Sequence, residues 1–133
     1  MNDQKILTYG VIYNTKHSSV AMNMGVQVGD IFRSSWGYDQ TNIDFYQVVS
    51  RTQKMLTVRM IRKERVGEPH CLASYVMPKK DCFLDTDHAY DKRYGAPMKR
   101  RILVDYTGEV FFNVECGIAK KWNGLKQTET YTG

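Results

Sequence analysis

The chain has 133 residues, enough for one domain that buries its own core without disulfides or a structural metal. Apolar residues make up 42% and aromatic residues 12% of it, which excludes a disordered or low-complexity chain. Nineteen Lys and Arg against fourteen Asp and Glu leave a net charge of +5, a modest excess that favours acidic or polyanionic partners without requiring one. We therefore expect a single domain over residues 1–133.

Neither the cysteines nor the N-terminus carries a secretion signal. Cys71, Cys82 and Cys116 are odd in number and unrelated in spacing, which suits reduced, buried thiols better than a disulfide framework. The first residues lack a basic stretch followed by a long apolar run, and no window approaches the length of a membrane span. These features predict a cytoplasmic protein.

The start of the chain predicts one strand and one short helix. Residues 5–14 are rich in Ile, Leu, Val and Tyr, and Gly10 interrupts them as in a bulged strand. Ser18 or Ser19 can cap a short helix near residues 18–25, which Gly25 would end.

The stretch from Gly29 to Val49 predicts a β-hairpin around which the rest of the chain is organised. Two runs of β-branched and aromatic residues flank residues 36–42, Trp-Gly-Tyr-Asp-Gln-Thr-Asn, whose composition is typical of a turn. A third strand is expected over residues 55–65, and Gly67-Glu68-Pro69 is expected to end it. Its alternation predicts one packed face and one basic face.

The second half predicts further short strands around an irregular segment. Residues 70–77 form a strand that Pro78 closes, and residues 79–97 form a long irregular excursion. Strands then follow at 99–106, 110–116, 118–122 and 125–132, and Asn123-Gly124 predicts a type I′ hairpin between the last two. Short strands without intervening helices predict a mostly β fold, a small antiparallel barrel that is SH3-like or OB-like, with one short helix and the excursion.

The hairpin tip is the first candidate binding site. Large aromatic side chains at Trp36, Tyr38 and Tyr46 can stack on bases or fill a pocket of a partner, or can instead fold back onto the barrel. Gln40 and Asn42 can contact base edges, although such residues more often close turns by bonding to the main chain.

The third strand is the second candidate. Six cations between residues 51 and 65 against the single Glu64 leave a local excess of +5. The expected phosphate-binding residues are Arg59, Arg62, Lys63 and Arg65. Residues 99–101, Lys-Arg-Arg, extend this patch if their strand neighbours the third one. The alternative is a solvated face whose charges protect a sheet edge.

The acidic run contains Asp81, Asp85, Asp87, His88 and Asp91. Its spacing matches no EF-hand, and a solvated loop balanced by neighbouring lysines and arginines is expected. Such a loop could also mimic nucleic-acid phosphates. The chain has no P-loop, GxGxxG or GxSxG motif, so we expect no catalytic residues, no metal site and no cofactor.

Residues 29–48, GDIFRSSWGYDQTNIDFYQV, resemble a segment of small proteins encoded by bacteriophages and other mobile elements of bacteria. The Trp122-Asn123-Gly124 turn is a second, weaker similarity, although Leu125-Lys126 departs from the usual Lys-Pro continuation. The resemblance covers about a sixth of the chain. It implies a phage or mobile-element origin, a place in the bacterial host cytoplasm, and interference with host nucleic-acid metabolism or defence.

Three functions follow as hypotheses. The leading one is a non-enzymatic module that binds nucleic acid, or a nucleic-acid-processing complex, through the basic strand and the aromatic hairpin. The first alternative is a protein-binding inhibitor of a host defence system, of the anti-CRISPR or anti-restriction type. The second alternative is a metal-dependent hydrolase that uses the aspartate cluster.

Overall fold

The computed structural model describes residues 25–70, 72–84, 95–115 and 117–131. Within these residues the chain forms nine strands and no helix, which confirms the mostly β fold class. The strands are β1 (Ile31–Trp36), β2 (Asn42–Arg51), β3 (Met55–His70), β4 (Ala73–Phe83), β5 (Met98–Arg101), β6 (Leu103–Val104), β7 (Val110–Val114), β8 (Gly117–Lys121) and β9 (Gln127–Thr130).

The strands form one antiparallel sheet that curls into a barrel-like arrangement. Eight of them follow the order β6-β7-β8-β1-β2-β3-β4-β9, and β5 pairs with β3 beside this path. The long strand β3 serves two neighbours, because its first residues pair with β5 and its later residues pair with β4. After β5 the chain continues through Ile102 into β6, which pairs with β7. β7 pairs with β8, and β8 pairs with β1, so this part of the sheet leads back to the first hairpin.

Both faces of the β1–β2 hairpin are buried, and each covers a separate core. One face packs the larger core, in which the rings of Phe32 and Phe112 lie with centroids 5.0 Å apart. Its buried members are Val26, Phe32, Tyr46, Val48, Leu56, Val58, Ile102, Phe112 and Ala119. The opposite face packs a smaller core under β4 and Trp122, made of Ile31, Ile43, Phe45, Ile61 and Val76. Alternation along β2 thus supplies two cores, which explains its continuous burial from Phe45 to Val48.

The last strand ties the C-terminal end of the described chain to the hairpin. β9 pairs with β4, and its Thr130 amide donates to the Thr41 carbonyl at 3.1 Å. The Ile43 amide donates to a carboxylate oxygen of Glu129 at 3.0 Å. The base of the hairpin tip is therefore held by a strand that is more than eighty residues away in sequence.

The prediction that Gly67-Glu68-Pro69 and Pro78 end their strands is wrong. β3 continues to His70, and β4 runs through Pro78 to Phe83, so the start of the expected excursion at 79–97 is strand. Both strands tolerate these residues because the ladder shifts register there, between Val66 and His70 and between Ile61 and Lys63. A bulge leaves backbone groups outside the ladder, so a proline costs no hydrogen bond.

The predicted Asn123-Gly124 hairpin is also wrong. The chain does turn there, with Gly124 at a φ of 86°, but β8 pairs with β1 and β7 whereas β9 pairs with β4. Trp122 decides the outcome, because its ring packs edge-on against Phe45 with centroids 6.3 Å apart and its indole donates to the Leu125 carbonyl at 2.7 Å. The turn carries the chain across the smaller core instead of folding it back on itself.

Two sequence predictions fall outside the described residues: the strand at 5–14 and, except for Gly25, the helix at 18–25. The later part of the excursion, residues 85–94, also lies outside them. Cys82 is exposed, contrary to the expectation of buried cysteines, because it lies in the bulged part of β4. In the described part of the chain, no helix is long and apolar enough to cross a membrane.

Candidate functional site

The hairpin tip is a tightly closed turn that presents one tyrosine to solvent. The Trp36 indole donates to the Asp44 carboxylate at 2.7 Å across the hairpin, which fixes the ring while leaving it 37% exposed. Gly37 has a φ of 129°, and a Cβ there would lie 2.0 Å from the Gln40 carbonyl oxygen. Tyr38, the next residue, is 98% exposed. The backbone at this turn accepts only glycine at residue 37, and the turn projects Tyr38 outward.

The amide side chains of the tip close the turn. The Gln40 amide donates to the Asn42 side-chain oxygen at 3.3 Å, and the Asn42 amide donates to the Trp36 carbonyl at 3.5 Å. Both residues are half-buried. These bonds agree with the turn-closing role that was the alternative to base contacts at Gln40 and Asn42.

Tyr46 is not a stacking residue, and the prediction that it contacts bases is wrong. Its side chain is 5% exposed and belongs to the larger core. The ring packs edge-on against Phe112 with centroids 5.8 Å apart. The physical reason is strand alternation, which directs residue 46 to the core face whereas Tyr38 lies beyond the end of β1.

Two of the predicted phosphate contacts, Lys63 and Arg65, already have partners within the protein. Lys63 forms an ion pair with Glu129, whose side chain is only 8% exposed, and also donates to the Ile43 carbonyl at 2.5 Å. Arg65 lies over the Tyr131 ring and donates to its hydroxyl at 3.1 Å. These contacts join β3 to residues 129–131, and the Lys63 charge is neutralised by the nearly buried Glu129 carboxylate.

The other two predicted contacts lie on different faces of β3. Arg59 stacks on Phe83 at 4.5 Å and donates to the Gly95 and Leu84 carbonyls at 2.9 and 3.3 Å. Arg62 is exposed and, being one position out of phase, points to the side opposite Arg59 and Lys63. The structure therefore does not bring Arg59, Arg62, Lys63 and Arg65 together as one surface.

Lys99 and Arg101 leave one face of β5, and Lys54 lies nearby in the turn that precedes β3; we call these three exposed cations the basic corner. The strand that carries residues 99–101 does neighbour the third strand, because Thr57 pairs with Lys99 and Met55 pairs with Arg101, but the patch that it was expected to extend is not formed. Lys54 adjoins them, since its carbonyl accepts the Ile102 amide at 2.9 Å. All three side chains are exposed. Among the described residues none of them forms an ion pair.

The basic corner and the hairpin tip are far apart. The tip lies at the Asn42 end of β2, whereas the corner lies beyond its Arg51 end, next to the turn that leads into β3. At about 3.3 Å per residue, the length of β2 separates them by about 30 Å. Strand pairing had to be known before Lys54, Lys99 and Arg101 could be grouped, and this is why sequence reasoning left them outside the principal site.

The Asp44 carboxylate at the base of the tip titrates abnormally. Burial raises its pKa above the usual 3.8, against the opposing effects of the Trp36 hydrogen bond and the Lys63 charge. The Glu129 carboxylate contributes a smaller push in the same upward direction. The tip thus rests on two carboxylates and one lysine that share a partly buried environment.

The acidic run contributes one residue to the described structure. Asp81 lies in the bulge of β4 with a φ of 66°, and the buried Gln47 side chain binds both its amide at 2.8 Å and its carboxylate at 2.7 Å. Asp85, Asp87, His88 and Asp91 lie outside the described residues. Within them, no group of three or more His, Cys, Asp or Glu side chains could hold a metal ion.

Comparison with known proteins gives no relatives. No protein-family model, no curated protein and no solved structure matches the chain.

Proposed function

We propose that this protein is a nucleic-acid-binding module, of the SH3-like or OB-like small-barrel type, that contacts phosphates through the basic corner. The observation that carries the proposal is the set of three exposed cations, Lys54, Lys99 and Arg101, without a counter-ion among the described residues. Binding a phosphate there breaks none of the ion pairs described above, whereas a phosphate on Lys63 must displace Glu129.

The geometry of the basic corner also suits the phosphate backbone of a nucleic acid. Lys99 and Arg101 are two positions apart on β5, so their Cα atoms lie about 7 Å apart and both side chains leave the same face. Arg100, between them, donates to the Asn113 carbonyl at 3.0 Å and anchors the strand. The resemblance of residues 29–48 to phage and mobile-element proteins agrees with a target in the nucleic-acid metabolism of a bacterial host, in its cytoplasm.

The test is the salt dependence of binding, because each cation that contacts a phosphate releases condensed counterions. We expect duplex binding to fall with salt, and the double variant Lys99→Ala/Arg101→Ala to flatten the slope of log K against log salt by about 1.8. Fluorescence anisotropy with labelled duplex and single-stranded probes at several salt concentrations measures it.

The matched control is Lys79→Ala/Lys126→Ala, which removes the same charge. Both lysines are exposed. Lys79 is also distant from the basic corner, because its neighbour Pro78 pairs with Lys63, whereas Arg101 of the corner pairs with Met55 at the other part of β3. The control should leave the slope unchanged. An equal flattening in both double variants would show that net charge, not the corner, attracts the nucleic acid, and absence of binding at low salt would refute the proposal.

A second candidate function is a protein-binding inhibitor of a host defence system. The observation that favours it is Tyr38, which is 98% exposed on a turn held by the Trp36–Asp44 hydrogen bond. A rigid exposed tyrosine is typical of the residues that dominate protein interfaces. Affinity capture from nuclease-treated bacterial lysate, compared between the parent protein and Tyr38→Ala, tests this candidate. A specific host protein should be retained by the former and lost by the latter.

A further inference from the structure

Arg33, in the middle of β1, is the described cation whose surroundings are hardest to explain by structure alone. Its Nε atom is buried and has no hydrogen-bond partner, and the residue forms no ion pair among the described residues. A guanidinium that has lost water on one side without gaining an acceptor is unfavourable. Because Nε itself is inaccessible, an external acceptor would reach the guanidinium through its terminal nitrogens.

A second cation lies directly opposite. The register of β1 and β8 pairs Arg33 with Lys120, and like charges at directly opposite positions of an antiparallel pair repel each other. Lys120 is balanced by Glu109 at 3.3 Å and Asp105 at 3.8 Å. Among the described residues Arg33 itself forms no ion pair with a carboxylate, although Asp105 and Glu109 lie beside Lys120.

The structure has space for an anionic ligand beside Arg33 and Lys120. An open pocket of about 570 Å³ adjoins the two cations, and its lining includes Arg33, Glu109, Val110, Lys120, Lys121 and Asn123. This volume falls within the range of pockets that hold small ligands. Lys121 is occupied by Asp30 at 3.2 Å, which leaves the guanidinium as the group that a ligand would meet unpaired.

We propose that this pocket binds a small ligand through an oxyanion, a phosphate or a carboxylate, whose oxygens accept from the Arg33 guanidinium. Guanidinium is suited to this task because its planar donors match two oxygens at once. The site is separate from the basic corner and does not depend on it.

Isothermal titration with inorganic phosphate, adenosine monophosphate and glutarate tests the proposal and distinguishes the two sources of the anion. We expect saturable binding of at least one probe, about tenfold weaker in Arg33→Met. The expected loss in Arg33→Lys is smaller, because lysine keeps the charge but not the planar donors. The Arg33 Nε–H resonance in proton–nitrogen NMR spectra should shift on binding.

Glu109→Gln keeps the test meaningful if changes at Arg33 disturb folding. Its side chain is 63% exposed, and removing its negative charge should strengthen anion binding by about two- to fivefold, an effect that unfolding cannot imitate. The control Arg101→Met should leave anion binding unchanged and weaken only nucleic-acid binding. If no probe saturates, or if Arg33→Lys and Glu109→Gln bind as the parent does, the proposal is overturned.

Discussion

Lys63, which contacts the base of the hairpin tip, and Lys99, in the basic corner, both lie on paired strands but have opposite surroundings. Lys63 lies on β3 and meets Glu129 from β9, a carboxylate that is almost fully buried. Lys99 lies on β5 beside Thr57 and remains exposed without an ion pair to a described residue. The same side chain thus stabilises the fold in one region and is available for a ligand in the other.

A run of basic residues is therefore not by itself a binding surface. Of the cations on β3, those that share a face with Lys63 are committed to neighbouring strands, which bring a carboxylate, a tyrosine or backbone carbonyls within reach. On β5, Lys99 and Arg101 lie opposite Thr57 and Met55, which carry no charge, and neither cation forms an ion pair with a described residue. What lies across the sheet decides the role of each charge.

The largest expected effect tests this difference through stability. Lys63→Met should lower the free energy of unfolding by about 3 kcal/mol, because the Glu129 carboxylate would stay buried without its counter-ion. The matched Lys99→Met should change it by less than about 0.5 kcal/mol. Urea denaturation at neutral pH measures both. Equal losses would mean that the two lysines do not differ in role.

The next effect concerns the rigidity of the tip. Gly37→Ala should lower the free energy of unfolding by about 2 kcal/mol and release Tyr38, because the added Cβ meets the Gln40 carbonyl as well as an unfavourable φ. Gly124→Ala is the control, since its φ is 86° but nothing lies within 4 Å of the added Cβ. It should cost about 1 kcal/mol. Thermal unfolding measures both variants. Gly37→Ala combines a steric clash with backbone strain, whereas Gly124→Ala has the backbone strain alone.

The smallest expected effect is a pH dependence of the folding stability, which arises from Asp44 at the base of the hairpin tip. The Asp44 pKa is raised in the folded protein, so its stabilising contribution is complete below the unfolded value of 3.8 and is lost as pH rises through the folded pKa. Asp44→Asn removes this titration and can still accept from the Trp36 indole. The difference in free energy of unfolding between the variant and the parent should therefore shift in favour of the variant as pH increases above 3.8. It should become constant once the pH exceeds the folded pKa of Asp44. A gap that does not vary with pH would contradict the assigned direction.

Much of the fold followed from local pattern. The alternation of residues 29–49 and the turn residues between the two apolar runs predicted the β1–β2 hairpin, and the pairing of Trp36 with Asn42 confirms it. The packed face that alternation predicted for the third strand is present at Leu56 and Val58, which are both fully buried. These predictions hold because period-two geometry and turn chemistry depend on residues that are close in sequence.

The candidate site was less predictable, because it depends on strands that meet from distant parts of the chain. Glu129, which engages Lys63, lies sixty-six residues away. The β8–β9 connection shows the same limit, since an Asn-Gly turn specified a change of direction but not the strand on which β9 would pair. Propensity describes the turn, whereas burial of Trp122 against Phe45 determines where the chain goes next.

The sequence by itself therefore determined the strand-rich class, the hairpin and its turn, and the excess of positive charge. Three features depend on how distant strands pair: which cations of the described residues form ion pairs, the burial of Tyr46 against the exposure of Tyr38, and the placement of the aromatic tip and the basic corner at opposite ends of β2. The physical reason is range: side-chain alternation and turn geometry are local, whereas the pairing of a charge and its removal from water depend on whichever strand the fold places beside it.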